Sequence, residues 1–332
     1  MLQKNYRKAL PALNESIRLD PKYAWAHHYL GQSYLPLKRY KAAAAAYRRA
    51  LVLNPEIEEA ELGLGIAYTH SHQPQKALPY LKKAIKRDPR NTRLYMLMAE
   101  NYLKLGKHEE AIAPYRKILK EEPENQKIWL HLGTIYLKLK RYDDAIAAYH
   151  RILQLAPDNA HIYYELGKVN TTVGRYETAL NAYRKAVRLR PNFLRARYRL
   201  GLLLDLMGRR QEAIRVYQSA LKIPHDSENI HLSLGWALAE EKRYYEAMKI
   251  LKQAVTLNPE NPETHFALGW VYYGLEFYAQ AVASYQEALR LNPNHTGAQF
   301  NLKLAETRLP IDPDFSKTKP GTPALPVPEL KD

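Results

Sequence analysis

The residues best suited to catalysis or metal binding in this 332-residue chain are its twelve histidines, and their placement argues against both roles. His70-x-His72 has the spacing of a chelating pair, but no carboxylate stands in the same short segment to supply a third ligand. His27, His231 and His265 lie at multiples of 34 residues from one another, which marks them as copies of one packing position. The chain has no cysteine, so disulfides, thiolate ligands and a thiol nucleophile are excluded. Its glycines are spread along the chain at a regular interval, not gathered into a phosphate loop. No catalytic, cofactor-binding or metal-binding residue is expected.

Charge and aromatic surface are what remain. Fifty Lys and Arg against 34 Asp and Glu give a formal charge of +16, a balance that suits nucleic acid, an anionic membrane or an acidic protein. Between Arg184 and Arg215 ten cations face only Asp205 and Glu212, a local +8. Read by helical position these cations scatter over several faces, so a solvated surface is favoured over a phosphate-binding stripe. Arg195 and Arg199, four apart, do share a face and can reach one ligand together. Trp236 and Trp270, 34 apart, are equivalent positions of adjacent copies.

The elements that must position these residues follow from the period. Pro21, Pro55, Pro89, Pro123, Pro157 and Pro191 are each 34 residues apart, and Pro224, Pro259 and Pro293 continue the series with one early step. With that proline numbered 32, full units begin at 24, 58, 92, 126, 160, 194, 228 and 262. Position 20 is Ala in all eight and position 8 is Gly in seven, with Ala99 in the other. Apolar residues at 4, 7 and 11, then at 17, 20, 24, 27 and 28, form two helical stripes around a short polar turn. The small residues at 8 and 20 let two antiparallel helices approach, and the proline ends the second. One hairpin cannot bury both stripes, so neighbours must stack.

These residues resemble the tetratricopeptide repeat (TPR) family, whose Trp-x2-Leu-Gly-x2-Tyr…Ala-x3-Phe…Pro pattern appears here as Trp129, Leu132, Gly133, Tyr136, Ala145, Tyr149 and Pro157. The resemblance covers residues 1–309 and implies an all-α, right-handed helical solenoid with a concave groove. The units divide as 1–23, a second helix alone; 24–293, eight full repeats; 294–309, a capping helix; and 310–332, a Pro-rich disordered tail. Lys303 and Glu306 make the last helix polar where a further helix would pack, the signature of a C-terminal cap, so any missing domain is expected upstream. Leu10, Leu13 and Ile17, on a helix without its partner, leave an apolar edge suited to self-association.

In this family positions 2, 5, 6, 9, 12 and 13 of first helices line the groove. That rule selects Arg195, Tyr198, Arg199, Leu232, Trp236, Phe266, Trp270 and Tyr273 as partner-binding residues. The carboxylate clamp of chaperone-binding members is incomplete here, with Leu130, Thr134 and Glu165 where it needs Lys and Asn. The expected function is a non-enzymatic scaffold that holds an acidic and apolar partner segment in the groove. A basic adaptor for nucleic acid or an anionic membrane, and the TPR arm of a longer enzyme, are the alternatives. No apolar run spans a membrane and no signal peptide is visible, which makes the cytoplasm the default compartment.

Overall fold

The computed structural model describes residues 2–224 and 227–309; the tail beyond lies outside the described residues. Eighteen helices and no strand occur among them. By contacts the chain forms two compact units, Met1–Pro157 and Asp158–Asp332, each taken by itself below.

In the first unit the helices are α1 (Leu2–Leu19), α2 (Ala24–Tyr34), α3 (Tyr40–Leu53), α4 (Glu58–His70), α5 (Pro74–Arg87), α6 (Thr92–Lys104), α7 (His108–Glu121), α8 (Gln126–Lys138) and α9 (Tyr142–Leu155). The second holds α10 (Ala160–Thr172), α11 (Tyr176–Leu189), α12 (Leu194–Leu206), α13 (Arg210–Ala220), α14 (Glu228–Glu240), α15 (Tyr244–Leu257), α16 (Pro262–Gly274), α17 (Tyr278–Leu291) and α18 (Thr296–Glu306). The first helices α2 to α16 start at the residues where the period places position 1. Each packs on its own second helix, as α2 does on α3 and α16 on α17, and within each unit a second helix packs on the first helix that follows it. First helices also touch one another directly, α2 with α4 and α4 with α6 in one unit, α10 with α12 through α16 with α18 in the other. They therefore form the inner face of each stack.

The small residue at position 8 answers to the tyrosine at position 24. A Cβ added to Gly133 would lie 2.6 Å from the Tyr149 ring, and one added to Gly201 would lie 2.3 Å from that of Tyr217. Those rings are fully buried, as are their counterparts Tyr115, Tyr183 and Tyr285. The tyrosine-rich composition is thus the core repeated. Position 4 has a second role that its apolar stripe conceals. Trp129 Nε1 donates to the Pro123 carbonyl at 2.9 Å, and His27, His265 and Gln299 make the equivalent contact to Pro21, Pro259 and Pro293. Each such bond ties a first helix to the proline that closes the unit before it.

All eight turns between first and second helices place position 15 in the left-handed region, with φ between 57° and 75°. Gly106, Gly174 and Gly208 adopt it without strain, whereas Lys38, His72, Lys140, Lys242 and Glu276 carry a Cβ there. His72 is thereby held in a tight turn, and the His70 ring stacks on Tyr40 at 5.0 Å. Among the described residues no group of three or more potential ligands is placed to hold a metal, and no helix is long and apolar enough to cross a membrane. At the amino-terminal edge Leu10, Leu13 and Ile17 are half-buried, not bare, because α1 packs against α2.

Candidate protein-binding face

All eight groove residues selected from the sequence lie in the second unit, on α12, α14 and α16, so one stack positions them. Arg195 opens the row and is exposed. One turn on, Arg199 is half-buried, and its charge is felt by Tyr183. Burial pushes the Tyr183 phenol up, while the Thr171 hydroxyl and the Arg199 guanidinium pull it back. Tyr198 is half-buried on the Tyr217 ring at 6.3 Å, and its hydroxyl lies 3.4 Å from Ser233 Oγ.

The aromatic half of the face is built by Trp236 and Trp270. Their rings are 6.2 Å apart at 54°, and each is half-buried against the core that also holds Leu232. Tyr273, half-buried, meets Tyr278 edge-on at 5.4 Å. Phe266 departs from expectation. It is 0% exposed, enclosed by Trp236 at 5.8 Å, Tyr285 at 5.8 Å and His295 at 4.6 Å. It supports the tryptophan from below and presents nothing to a partner. The reason is α18, which begins beside it and covers a position 5 that the sequence rule treats as open. The equivalent Phe300 on α18 is 51% exposed.

The same positional rule finds residues that the initial selection omitted. Leu202, Asp205 and Leu206 are positions 9, 12 and 13 of the unit at 194, and Glu240 is position 13 of the next. Leu206 is exposed, Leu202 half-buried. Asp205 Oδ2 accepts a hydrogen bond from the Tyr217 hydroxyl at 2.8 Å, while Oδ1 is buried with no donor. Burial drives its pKa up to about 6, with the Tyr217 hydrogen bond pulling down, Glu240 pushing up and Arg210 pulling down. Arg210 itself is paired with Glu240 at 2.5 Å. The face therefore carries two cations and, further along the same helix α12, a carboxyl whose pKa burial raises to about 6, while α14 and α16 carry the aromatic pair.

Comparison with known proteins settles the family. Residues 90–302, more than half of the chain, match the family model of the cilia and flagella-associated protein 70 C-terminal domain. The chain belongs to the tetratricopeptide repeat family. Residues 1–121 of this TPR protein also match the cytochrome c-type biogenesis protein H TPR domain. It is similar in structure to the C-terminal part of a TPR repeat-containing protein from Cytophaga hutchinsonii, at 15% identity and a TM-score of 0.61, over 72% of this chain and 98% of that one. A second similar structure is YrrB, described as a TPR protein with an unusual peptide-binding site, at 22% identity and a TM-score of 0.51, over 57% of this chain and 97% of that one. At those identities the likeness is one of fold. No curated protein matches the chain significantly.

Proposed function

We propose that this TPR protein is a non-enzymatic scaffold whose second unit holds a segment of a partner protein on the inner face of α12, α14 and α16. The observation that carries the proposal is the Trp236–Trp270 pair, two large rings 6.2 Å apart that remain half-exposed on a rigid helix stack. Flat aromatic surface held by packing anchors a partner at little entropic cost. Arg195 and Arg199 next to it favour an acidic stretch, and Leu202, Leu206 and Leu232 favour apolar side chains beyond it. YrrB, of the same fold, has a peptide-binding site by its own description, which fits this use of stacked hairpins. We read residues 24–293 as the repeat array and 294–309 as its cap.

A library of random twelve-residue peptides displayed on phage and panned on the full chain tests the proposal. Four tryptophans are present, so a Trp25→Phe, Trp129→Phe background leaves Trp236 and Trp270 as fluorescent reporters of binding. Selected peptides should combine acidic and apolar residues, change that fluorescence, and lose affinity on Arg195→Glu, Arg199→Glu exchange. Peptides that bind with Trp236 and Trp270 both replaced by Ala, in a chain still helical by circular dichroism, would place the site elsewhere.

A further inference from the structure

The outward side of the second helices in the first unit carries a charge pattern of its own. On second helices, positions 17, 20, 24, 27 and 28 turn inward, which leaves 18, 22, 25 and 29 outward, with 26 at their side. In three successive second helices, positions 25 and 26 are both basic: Arg48 and Arg49 on α3, Lys82 and Lys83 on α5, Arg116 and Lys117 on α7. Position 29 adds Lys86 and Lys120. All eight side chains are exposed. Neither α3 nor α5 contains an acidic residue.

Part of this charge is spoken for. Lys83 pairs with Glu61 at 2.8 Å, and Arg116 donates to the Tyr136 hydroxyl at 3.0 Å. Arg49, Lys82, Lys86, Lys117 and Lys120 have no ion pair among the described residues, which leaves five free cations on three successive second helices. The pattern is not a property of the repeat. At the same positions α13 has Gln218 and Ser219, and α17 has Gln286 and Glu287. On α11 Arg184 is paired with Glu212 at 2.9 Å. Four cations of the run from Arg184 to Arg215, namely Arg184, Lys185, Arg209 and Arg210, are thus paired within the protein.

We propose that the outward face of α3, α5 and α7 binds the phosphodiester backbone of double-stranded nucleic acid without reading its sequence. The ridge offers cations on three successive second helices, each held in place by the first helix packed between it and the next, an ordered cationic surface suited to a polyanion. It has no aromatic side chain on which the bases of a single strand stack. Its one exposed large apolar side chain is Val52, too little to insert into a lipid surface. This proposal is independent of the inner face of the second unit.

The test is fluorescence anisotropy of the full chain with a labelled 25-base-pair DNA duplex, titrated between 50 and 200 mM NaCl. Five phosphate contacts predict a slope of log K against log salt near −4.5, which is roughly a 500-fold loss of affinity across that range. Scrambling the duplex sequence should change affinity less than about 3-fold, and the single strand should bind more weakly. The Arg49→Glu, Lys82→Glu, Lys117→Glu variant should lose at least about 100-fold at 50 mM NaCl, and Lys249→Glu, Lys252→Glu on α15 less than about 3-fold. Circular dichroism and gel filtration establish that both variants keep the fold. No binding at 50 mM NaCl, a slope shallower than about −2, or equal loss in both variants would overturn the proposal. So would tighter binding to phosphatidylserine vesicles or to polyglutamate than to the duplex.

Discussion

Replacing Asp205 by Asn should make the protein more stable, and increasingly so as pH rises. The carboxyl is half-buried at the end of α12, with one oxygen bonded to Tyr217 and the other shut away from any donor. Burial raises its pKa from 3.8 to about 6. The folded protein therefore holds this proton more tightly than the unfolded chain does. The stability this group contributes is full below about pH 4 and is lost as pH rises through about 6. A shift of about two units corresponds to at most about 3 kcal/mol at pH 7.5, and linkage leaves about 1 kcal/mol of it at pH 4.5. Asn keeps an oxygen to accept from Tyr217 and carries no charge, so Asp205→Asn should escape that loss. Urea unfolding followed by circular dichroism at both pH values, wild type against variant, reads the difference directly. If the two proteins differ by the same amount at pH 4.5 and 7.5, or if the variant is weaker at the higher pH, the assignment of a raised pKa to Asp205 is wrong.

Other outcomes follow from the same packing. Gly201→Ala puts a Cβ 2.3 Å from the Tyr217 ring and should cost about 1–3 kcal/mol in thermal or urea melts. Lys140→Gly relieves a residue held at φ 57° and should raise stability by up to about 1 kcal/mol, visible as a higher melting temperature. Trp270→Ala should weaken a selected peptide by about 2 kcal/mol or more in calorimetry. Arg195→Glu with Arg199→Glu should mainly slow association in stopped-flow measurements. Sedimentation of the chain should show a concentration-dependent dimer that Leu13→Lys abolishes, if the edge of α1 self-associates.

The position-4 contacts show how a correct local reading stays incomplete. His27 and His265 were recognisable as copies of one packing site because a period is a property of the chain alone. That their ring nitrogens bond the carbonyl of the proline six residues earlier depends on the angle at which one hairpin follows another. Equally, ten cations in a row between Arg184 and Arg215 attract attention in a sequence. Arg184–Glu212 and Arg210–Glu240 cross between helices and neutralise part of that run. The ridge on α3, α5 and α7 is conspicuous only once the outward face is known.

Helix starts, the close approach at positions 8 and 20, the short polar turn between the two helices and the membership of the family were all legible from a 34-residue period. Local sterics and hydrophobic spacing act between residues a few positions apart, and the repeat states them eight times. Burial is different. Phe266 and Phe300 share position 5, yet one is 0% and the other 51% exposed. Asp205 and Tyr273 share position 12, and only the first meets a buried phenol that donates to it. Desolvation and charge at each position depend on what the next hairpin places over it, some 34 residues away in the chain. Only the tertiary structure supplies that neighbour, and so only it decides which repeat positions face a partner and which are core.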